Sequence, residues 1–251
     1  MNKKSINIVW LKRDVRTIDH EAFHIAELSK LPYIPIYIFD SDLIKHLDTS
    51  DRHLQFIYHS IIDINRKLSA YNKEVEIFYG KSENIFKELQ NKFNIENIYS
   101  YRESGIKLSW ERDIIIKNFC NKNLITWTEF QRDGILRGIK NRKNWNKNWH
   151  IEMHKKIIEN KYKKQEKINF NNKFSLPKSI ENKLKIINDS IQPAGESMAW
   201  KYLNSFKNER VKRYAFDISK PEKSRISCSR LSPYISWGNL NIRLVYRHLI
   251  E

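Results

Sequence analysis

Short apolar runs alternate with amphipathic segments over the first half of the chain, and this alternation restricts the possible folds more than any other sequence feature. The runs are rich in β-branched and aromatic residues, which is typical of strands buried on both faces. Five strands are predicted, at Ile6 to Leu11, Tyr33 to Phe39, Val75 to Tyr79, Asn97 to Tyr101 and Leu124 to Trp127. Apolar residues at three- and four-residue spacing predict helices between the later strands, over residues 51–71, 82–93 and 108–119.

Strands that alternate with helices form parallel sheets through right-handed crossovers. We therefore expect residues 1–150 to form an α/β domain of Rossmann-like type with a doubly wound, five-stranded parallel sheet. The turn after the first strand reads Lys12-Arg13-Asp14-Val15-Arg16 and lacks the glycines of a dinucleotide-binding fingerprint. An ordinary dehydrogenase is therefore excluded.

The second half of the chain has a different organisation. Residues 151–192 are rich in Lys and Asn and lose clear periodicity, which predicts a basic linker over the surface. Residues 193–251 return to a helical pattern, with a helix start at Ser232-Pro233 and a cap at Asn241. Two or three helices cannot bury their own apolar stripes. We expect this all-α domain to be incomplete, to be completed by a second polypeptide, or to pack entirely on the first domain.

Composition narrows the possible partners and compartments. The 251 residues carry a formal net charge of +17, which favours polyanions such as nucleic acid or anionic lipid surfaces, although much of the excess is Lys in an Ile- and Asn-rich sequence. No apolar run is long enough for a membrane helix, and the start leads directly into a strand, so we expect a cytoplasmic protein without membrane association. Cys120 and Cys228 are too few for a disulfide framework, and no metal-ligand or hydrolytic pattern is present. No catalytic residue is assigned, and any chemistry is expected to come from a cofactor.

Two separate motifs resemble one known family. The first is Ile8-Val9-Trp10-Leu11-Lys12-Arg13-Asp14-Val15-Arg16, followed by Asp19. The second is Ser227-Cys228-Ser229-Arg230-Leu231-Ser232-Pro233-Tyr234-Ile235-Ser236-Trp237-Gly238, followed by Asn239-Leu240-Asn241-Ile242-Arg243. They resemble, in the right order, the opening strand and the flavin-phosphate loop of the photolyase/cryptochrome family. The resemblance covers nearly the whole chain, through the beginning of the helical FAD-binding domain, and is loosest in the linker.

The resemblance implies an FAD site around Tyr214, Cys228, Ser229, Arg230, Leu231 and Ser232. Hydroxyls and backbone N–H groups just before a helix favour the negative charge of a pyrophosphate, and Ser229 and Ser232 supply the hydroxyls. Arg230 either adds a charge-assisted hydrogen bond or bridges the two domains. Cys228 stands where the family usually has Thr, and a thiol is the weaker hydrogen-bonding group. Tyr214 either lies against the cofactor or packs one face of a helix.

A basic segment after the last predicted strand is a weaker candidate for DNA binding. It contains Arg137, Lys140, Arg142 and Lys143 among tryptophans, and such mixtures track nucleic-acid backbones and stack bases. The alternative is that Trp145 and Trp149 pack the segment onto the sheet while the charges stay in water.

The implied function is light-dependent repair of DNA. In this family, reduced FAD excited directly or through an antenna chromophore of folate or deazaflavin type donates an electron to a cyclobutane pyrimidine dimer, which then splits. Such a chain is a deoxyribodipyrimidine photo-lyase if the missing helical region completes it. Two alternatives remain: a cryptochrome-like blue-light sensor, and a flavin-free, basic nucleic-acid-binding protein.

Overall fold

A single all-parallel sheet forms the centre of the computed structural model, which describes residues 3–250. Its strands are β1 (Ser5–Leu11), β2 (Tyr33–Asp40), β3 (Glu76–Gly80), β4 (Asn94–Tyr101) and β5 (Thr126–Phe130). The strand order is β3-β2-β1-β4-β5, and each adjacent pair is parallel. The predicted doubly wound, five-stranded α/β fold is therefore confirmed.

Helices cover both faces of the sheet and form the second half of the chain. Those flanking the sheet are α1 (Glu21–Leu28), α2 (Ser41–Ile44), α3 (Asp51–Leu68), α4 (Ser82–Lys92) and α5 (Lys107–Lys122). Those that follow are α6 (Trp145–His154), α7 (Lys178–Leu184), α8 (Glu196–Ser205), α9 (Val211–Asp217), α10 (Ser224–Ser227), α11 (Ser232–Ser236) and α12 (Ile242–Ile250). A π-helical turn, Phe206–Arg210, joins α8 to α9. Among residues 3–250, no helix combines the length and apolar character that a membrane span requires.

The two-residue period of β1 explains why it is apolar throughout. Val9 and Leu11 belong to the core that packs under α1 and α3, whereas Ile8 and Trp10 belong to the core under α4 and α5. Successive side chains of a strand point to opposite faces, so a central strand covered on both sides needs apolar residues at every position.

The start of β5 was predicted wrongly. Leu124 has a φ of 57° and is 93% exposed, and the N–H of Ile125 donates to the carbonyl of Cys120 at 2.9 Å. These residues form the turn that ends α5, so the strand begins at Thr126 and runs on to Phe130. Leu124 is apolar but is a turn residue, which hydrophobicity alone does not reveal.

The segment between α6 and α7 runs along the outer edge of β3. The N–H of Tyr79 donates to the carbonyl of Phe174 at 2.7 Å, and Asn172 Nδ2 donates to the carbonyl of Ile77 at 3.0 Å. Phe174 also packs against the core under α4 and α5. This segment therefore covers backbone groups that a sheet edge would otherwise present to solvent.

The helices after residue 193 share an apolar core with α3. Phe56 of α3 packs with Leu203, Leu231, Tyr234 and other buried residues of these helices. The predicted cap of the last helix is present, since Asn241 Oδ1 accepts a hydrogen bond from the N–H of Leu244 at 2.7 Å. The helical part therefore packs on the α/β part through α3.

Two fully buried carboxylates fasten the same two parts together. Asp19 accepts hydrogen bonds from Arg243 Nη2 at 2.6 Å and Nε at 2.9 Å. Glu196 accepts from the Thr17 hydroxyl at 2.6 Å and from Lys67 Nζ at 2.8 Å. Both contacts involve the loop after β1, so this loop is the main polar attachment of the helical part.

Candidate cofactor sites

A cavity of about 220 Å³ lies at the carboxyl ends of β1 and β2, bounded by α2, α3 and α5. We call it the sheet-edge pocket. In doubly wound sheets ligands bind outside the carboxyl ends of the strands, where the strand order reverses. Here that place is between β1 and β4, and Glu103 in the loop after β4 also lines the pocket. Its apolar wall includes Trp10, Tyr37, Phe39, Leu54 and Ile57.

A charge cluster forms the polar wall of the sheet-edge pocket. Glu103 accepts from Arg13 Nε at 3.0 Å and from Arg112 Nη2 at 2.8 Å. Burial acts to raise the pKa of Glu103, but Arg112 and Lys12 outweigh it and hold that pKa at about 2. The pocket therefore presents a firmly ionised carboxylate flanked by guanidinium groups at neutral pH.

Lys12 lies behind this cluster and is almost fully buried. Its Nζ is 3.0 Å from Asp113 Oδ2 and lies over the rings of Trp10 and Trp127, at 4.4 and 5.1 Å from their centroids. Burial lowers the pKa of Lys12 below its ordinary value, although Asp113 opposes that shift. Lys12 is thus held within the wall rather than offered to solvent.

The loop that precedes α11 contains two backbone N–H groups without a hydrogen-bond partner among residues 3–250. Arg210 donates to the carbonyls of Cys228 and Ser229. All peptide bonds in the described chain are trans, so the N–H groups of Ser229 and Arg230 point away from Arg210. Neither N–H donates a hydrogen bond to another residue between 3 and 250. These two N–H groups are therefore available to an anion.

Other predicted members of the loop are placed differently. Leu231 is 3% exposed and belongs to the core shared with α3, so only its backbone can face a ligand. Ser232 is exposed at the first residue of α11. The N–H of Cys228 donates to the carbonyl of Ser224 at 3.2 Å, so any ligand contact from Cys228 comes from its thiol.

Arg230 bridges to the segment before α8. It has a φ of 57°, and its Nη2 donates to Gln192 Oε1 at 3.1 Å. Gln192 Nε2 in turn donates to the Arg230 carbonyl. This contact joins Arg230 to the end of the predicted linker and not to the α/β part, so neither of the two roles considered from the sequence is tested by it.

Tyr214 remains partly open. Its ring meets that of Phe206 edge to face, with centroids 5.7 Å apart, and the residue is 37% exposed. It therefore packs on the preceding turn and still presents a surface.

The basic segment after β5 is a surface loop. Lys140, Arg142 and Lys143 are exposed, whereas Arg137 is half-buried with its guanidinium 5.1 Å from the centroid of Trp110. Trp149 packs edge to face on Tyr246 of α12 at 5.4 Å, and not on the sheet as one interpretation of the sequence had it. In the described part of the chain, no three His, Cys, Asp or Glu side chains are arranged to hold a metal.

Sequence reasoning missed the sheet-edge pocket. Lys12 and Arg13 directly follow β1 and were visible as a charged turn, but Glu103 and Arg112 come from a distant loop and helix. The available signal was a run of charged residues immediately after a buried strand of a doubly wound sheet.

Comparison with known proteins identifies the family. The family model described as DNA photolyase matches residues 7–144, which is more than half of the chain. The chain belongs to the DNA photolyase family. The matched region contains the whole sheet apart from the first two residues of β1, together with the walls of the sheet-edge pocket that the α/β part contributes.

Curated proteins that the chain matches include cryptochromes. Cryptochrome DASH, chloroplastic/mitochondrial, of Solanum lycopersicum is 28% identical over 107 residues, which cover 40% of this chain and 18% of that protein. Cryptochrome-1 of Drosophila melanogaster is 25% identical over 136 residues, covering 51% of this chain and 25% of that protein. The matches thus span a quarter or less of these relatives' length.

Solved structures of photolyases and cryptochromes share the fold. A Synechocystis cryptochrome superposes with a TM-score of 0.79 at 17% identity, covering 99% of this chain and 56% of that one. An archaeal photolyase from Sulfolobus tokodaii, described with two FAD molecules, gives 0.71 at 20% identity and covers 97% and 54%. A class III photolyase from Agrobacterium tumefaciens gives 0.74 at 18% identity and covers 98% and 53%. The chain spans about half the length of these solved proteins.

Proposed function

We propose that this chain is a flavoprotein of the photolyase type that takes part in light-dependent repair of cyclobutane pyrimidine dimers in DNA. The observation that carries the proposal is the loop before α11, because its unpaired N–H groups at Ser229 and Arg230 stand where the family's flavin-phosphate motif predicts an anion site. Bound reduced FAD would supply the light-excited electron.

The residues of the loop fit a pyrophosphate. Arg210 fixes the carbonyls of Cys228 and Ser229 on one side, which leaves the N–H groups on the other. The Ser232 hydroxyl is exposed next to them, and Tyr214 keeps 37% of its surface open for a stacked ring. In this arrangement the chain binds and orients the cofactor through backbone groups, so replacement of Thr by Cys228 weakens one hydrogen bond and leaves the site in place.

The sheet-edge pocket suits a second, planar chromophore of the antenna type. Its apolar wall offers Tyr37, Phe39 and Leu54, and its polar wall offers Arg13 and Arg112 as hydrogen-bond donors. A folate, deazaflavin or flavin ring matches this combination of flat apolar faces and cationic donors. The description of the Sulfolobus tokodaii photolyase, with two FAD molecules, adds support for two chromophore sites in one chain.

DNA is the proposed partner of the basic segment. Residues 1–130 contain 19 Lys and Arg against 18 Asp and Glu, whereas residues 131–251 contain 27 against 11. The excess positive charge therefore lies in the part that contains Lys140, Arg142 and Lys143, and such charge gives salt-dependent, sequence-independent DNA affinity. A pyrimidine dimer stacks poorly and is less costly to extrude from the duplex than an intact base.

The deciding experiment is an FAD titration of the full chain, followed by a blue-light repair assay on dimer-containing DNA. Wild type should acquire stoichiometric flavin absorption. Ser229→Asp should weaken FAD binding at least tenfold, because a carboxylate would face the phosphates, while Ser219→Asp in the exposed turn after α9 should not. Folded protein that binds DNA but no FAD would support the flavin-free alternative instead.

A cryptochrome-like sensor is the second candidate. The relatives that match the α/β part include cryptochromes of Solanum lycopersicum and Drosophila melanogaster. A sensor should bind FAD and undergo a reversible blue-light photocycle while leaving dimers intact, so the repair assay separates the two functions.

A further inference from the structure

Trp237 separates two cavities that belong to different parts of the chain. On one side it lines the sheet-edge pocket, and on the other it lines a cavity of about 370 Å³ between α3 and α11. It is contributed by the helical part, directly after α11, although most of the sheet-edge pocket is built by the α/β part. The pocket is therefore a composite of both parts.

The indole ring is tied to the charge cluster of the pocket. The Arg13 guanidinium lies over it, 4.6 Å from the ring centroid, and Arg13 Nε binds Glu103 at 3.0 Å. A guanidinium stacked on an aromatic face and held by a carboxylate makes a flat, ordered surface. A planar ligand in the pocket would meet this surface together with apolar lining residues such as Leu54.

The backbone around Trp237 is locked onto the loop after β1. The N–H of Val15 donates to the Trp237 carbonyl at 3.2 Å, and Asn239 Nδ2 donates to the Val15 carbonyl at 2.7 Å. Gly238 has a φ of 74°, and a Cβ added to it would lie 2.1 Å from the Arg13 carbonyl oxygen. The ring can form the wall only while the helical part is docked on this loop.

We propose that Trp237 is the specificity-determining wall of the sheet-edge pocket, and that it links binding of a planar heteroaromatic ligand there to docking of residues 237–250 on the α/β part. This rests on the proposed chromophore role of that pocket. Because such linkage is reciprocal, the ligand stabilises the docked helices, and the docked helices raise the affinity for the ligand.

The first test measures ligand affinity in the full chain. Riboflavin is the probe, because it has the isoalloxazine ring and no phosphate. Trp237→Leu removes the stacked face and should weaken binding roughly tenfold, whereas Trp237→Phe keeps an aromatic face and should weaken it no more than about threefold. Trp145→Leu on α6 is the matched control, since Trp145 does not line the pocket, and should leave the affinity unchanged.

The second test uses amide hydrogen exchange to measure docking of residues 237–250 on the α/β part. Its main comparison is wild type with and without ligand. The reporters are the N–H groups of Leu244 and Val245. The first donates a hydrogen bond to Asn241 Oδ1, and the second donates to the Asn241 carbonyl. At a riboflavin concentration ten times Kd, wild type should exchange these protons about tenfold more slowly. Trp237→Leu should exchange them faster than wild type without ligand and gain little protection with it.

The outcomes distinguish this inference from the function on which it rests. Riboflavin binding that Trp237→Leu leaves unchanged, with no added protection of α12 in wild type, would overturn the linkage and leave the chromophore pocket standing. Failure of wild type to bind any flavin, deazaflavin or folate ring would overturn the pocket's role, and the linkage with it. If Trp237→Leu does not fold, Trp237→Phe and the exchange data on wild type still decide.

Discussion

The ionised state of Glu103 makes a residue-scale prediction about acid stability. Its pKa is held at about 2 in the folded chain, below the ordinary 4.5, so its contribution is fully present above pH 4.5 and is lost as the pH falls toward 2. Glu103→Gln removes the carboxylate that neutralises two guanidinium groups and should lower the free energy of unfolding at pH 7 by roughly 2–4 kcal/mol. Urea denaturation at several pH values measures this, and the variant should lose the part of the pH dependence between 4.5 and 2 that Glu103 supplies.

A second glutamate, Glu83, provides the control for this prediction. Glu83→Gln affects a side chain that is 42% exposed and pairs with Lys87 one turn away, so it should change stability by well under 1 kcal/mol. Equal effects of the two substitutions would contradict the structural role assigned to Glu103.

A second residue-scale prediction concerns His20, a buried base instead of a buried acid. Its Nδ1 accepts the N–H of Phe23 at 3.2 Å, so the ring is neutral with its proton on Nε2, which faces Asp14 Oδ2 at 2.9 Å. Burial lowers the pKa of His20 although Asp14 opposes it. The imidazole of His20 therefore takes up a second proton more readily in the unfolded chain than in the folded one. The free energy of unfolding should consequently fall as the pH drops below about 6.5. His20→Gln should flatten that region of a stability-against-pH curve, while His24→Gln in the first turn of α1 should retain it.

At the scale of elements, the turn between α11 and α12 makes a prediction with a close internal control. Gly238→Ala combines a left-handed backbone with a clash against the Arg13 carbonyl, so it should destabilise the chain by roughly 3 kcal/mol or more. Gly138→Ala shares the left-handed φ, at 72°, but a Cβ there meets nothing within 4 Å, so its cost should be about 1 kcal/mol. Thermal denaturation of both variants measures the difference, and similar losses would show that the turn is not packed on the loop.

The attachment of α12 through Asp19 is a second element-scale prediction. Arg243→Met leaves a fully buried carboxylate without its cation and should cost roughly 3–5 kcal/mol. Arg213→Met breaks an ion pair whose arginine is 75% exposed and should cost at most about 1 kcal/mol. Chemical denaturation measures both, and a small effect at Arg243 would mean that apolar contacts alone hold α12.

Elements also show what sequence reasoning could reach. The strands of the sheet and α3 were predictable because one periodicity describes each of them, and because a strand buried on both faces, such as β1, must be apolar throughout. The start of β5 was not predictable in this way, because Leu124 is apolar and extends the hydrophobic pattern while its backbone forms a turn. The loop at 228–232 was predicted as a site from its motif, whereas the sheet-edge pocket depends on Glu103 and Trp237, which approach β1 only through tertiary packing.

At the scale of the whole molecule, the uneven charge predicts how DNA binding responds to salt. Replacing Lys140, Arg142 and Lys143 by Gln should reduce the slope of log K against log salt concentration by about 0.9 for each phosphate that these side chains neutralise. Replacing Lys87, Lys117 and Lys122 on α4 and α5 removes the same charge from the balanced half and should change the slope little. Fluorescence anisotropy with duplex DNA measures both, and equal slopes would assign binding to net charge alone.

The segment along β3 has a consequence for how the chain behaves outside its native state. By taking up the N–H of Tyr79 and the carbonyl of Ile77, it occupies backbone groups through which another molecule could extend the sheet. A proteolytic cut or deletion near Asn172 would therefore expose the unpaired backbone groups of β3. The first effect should be aggregation during refolding rather than loss of the folded α/β core. The stretch with the least regular structure thus protects the chain's solubility.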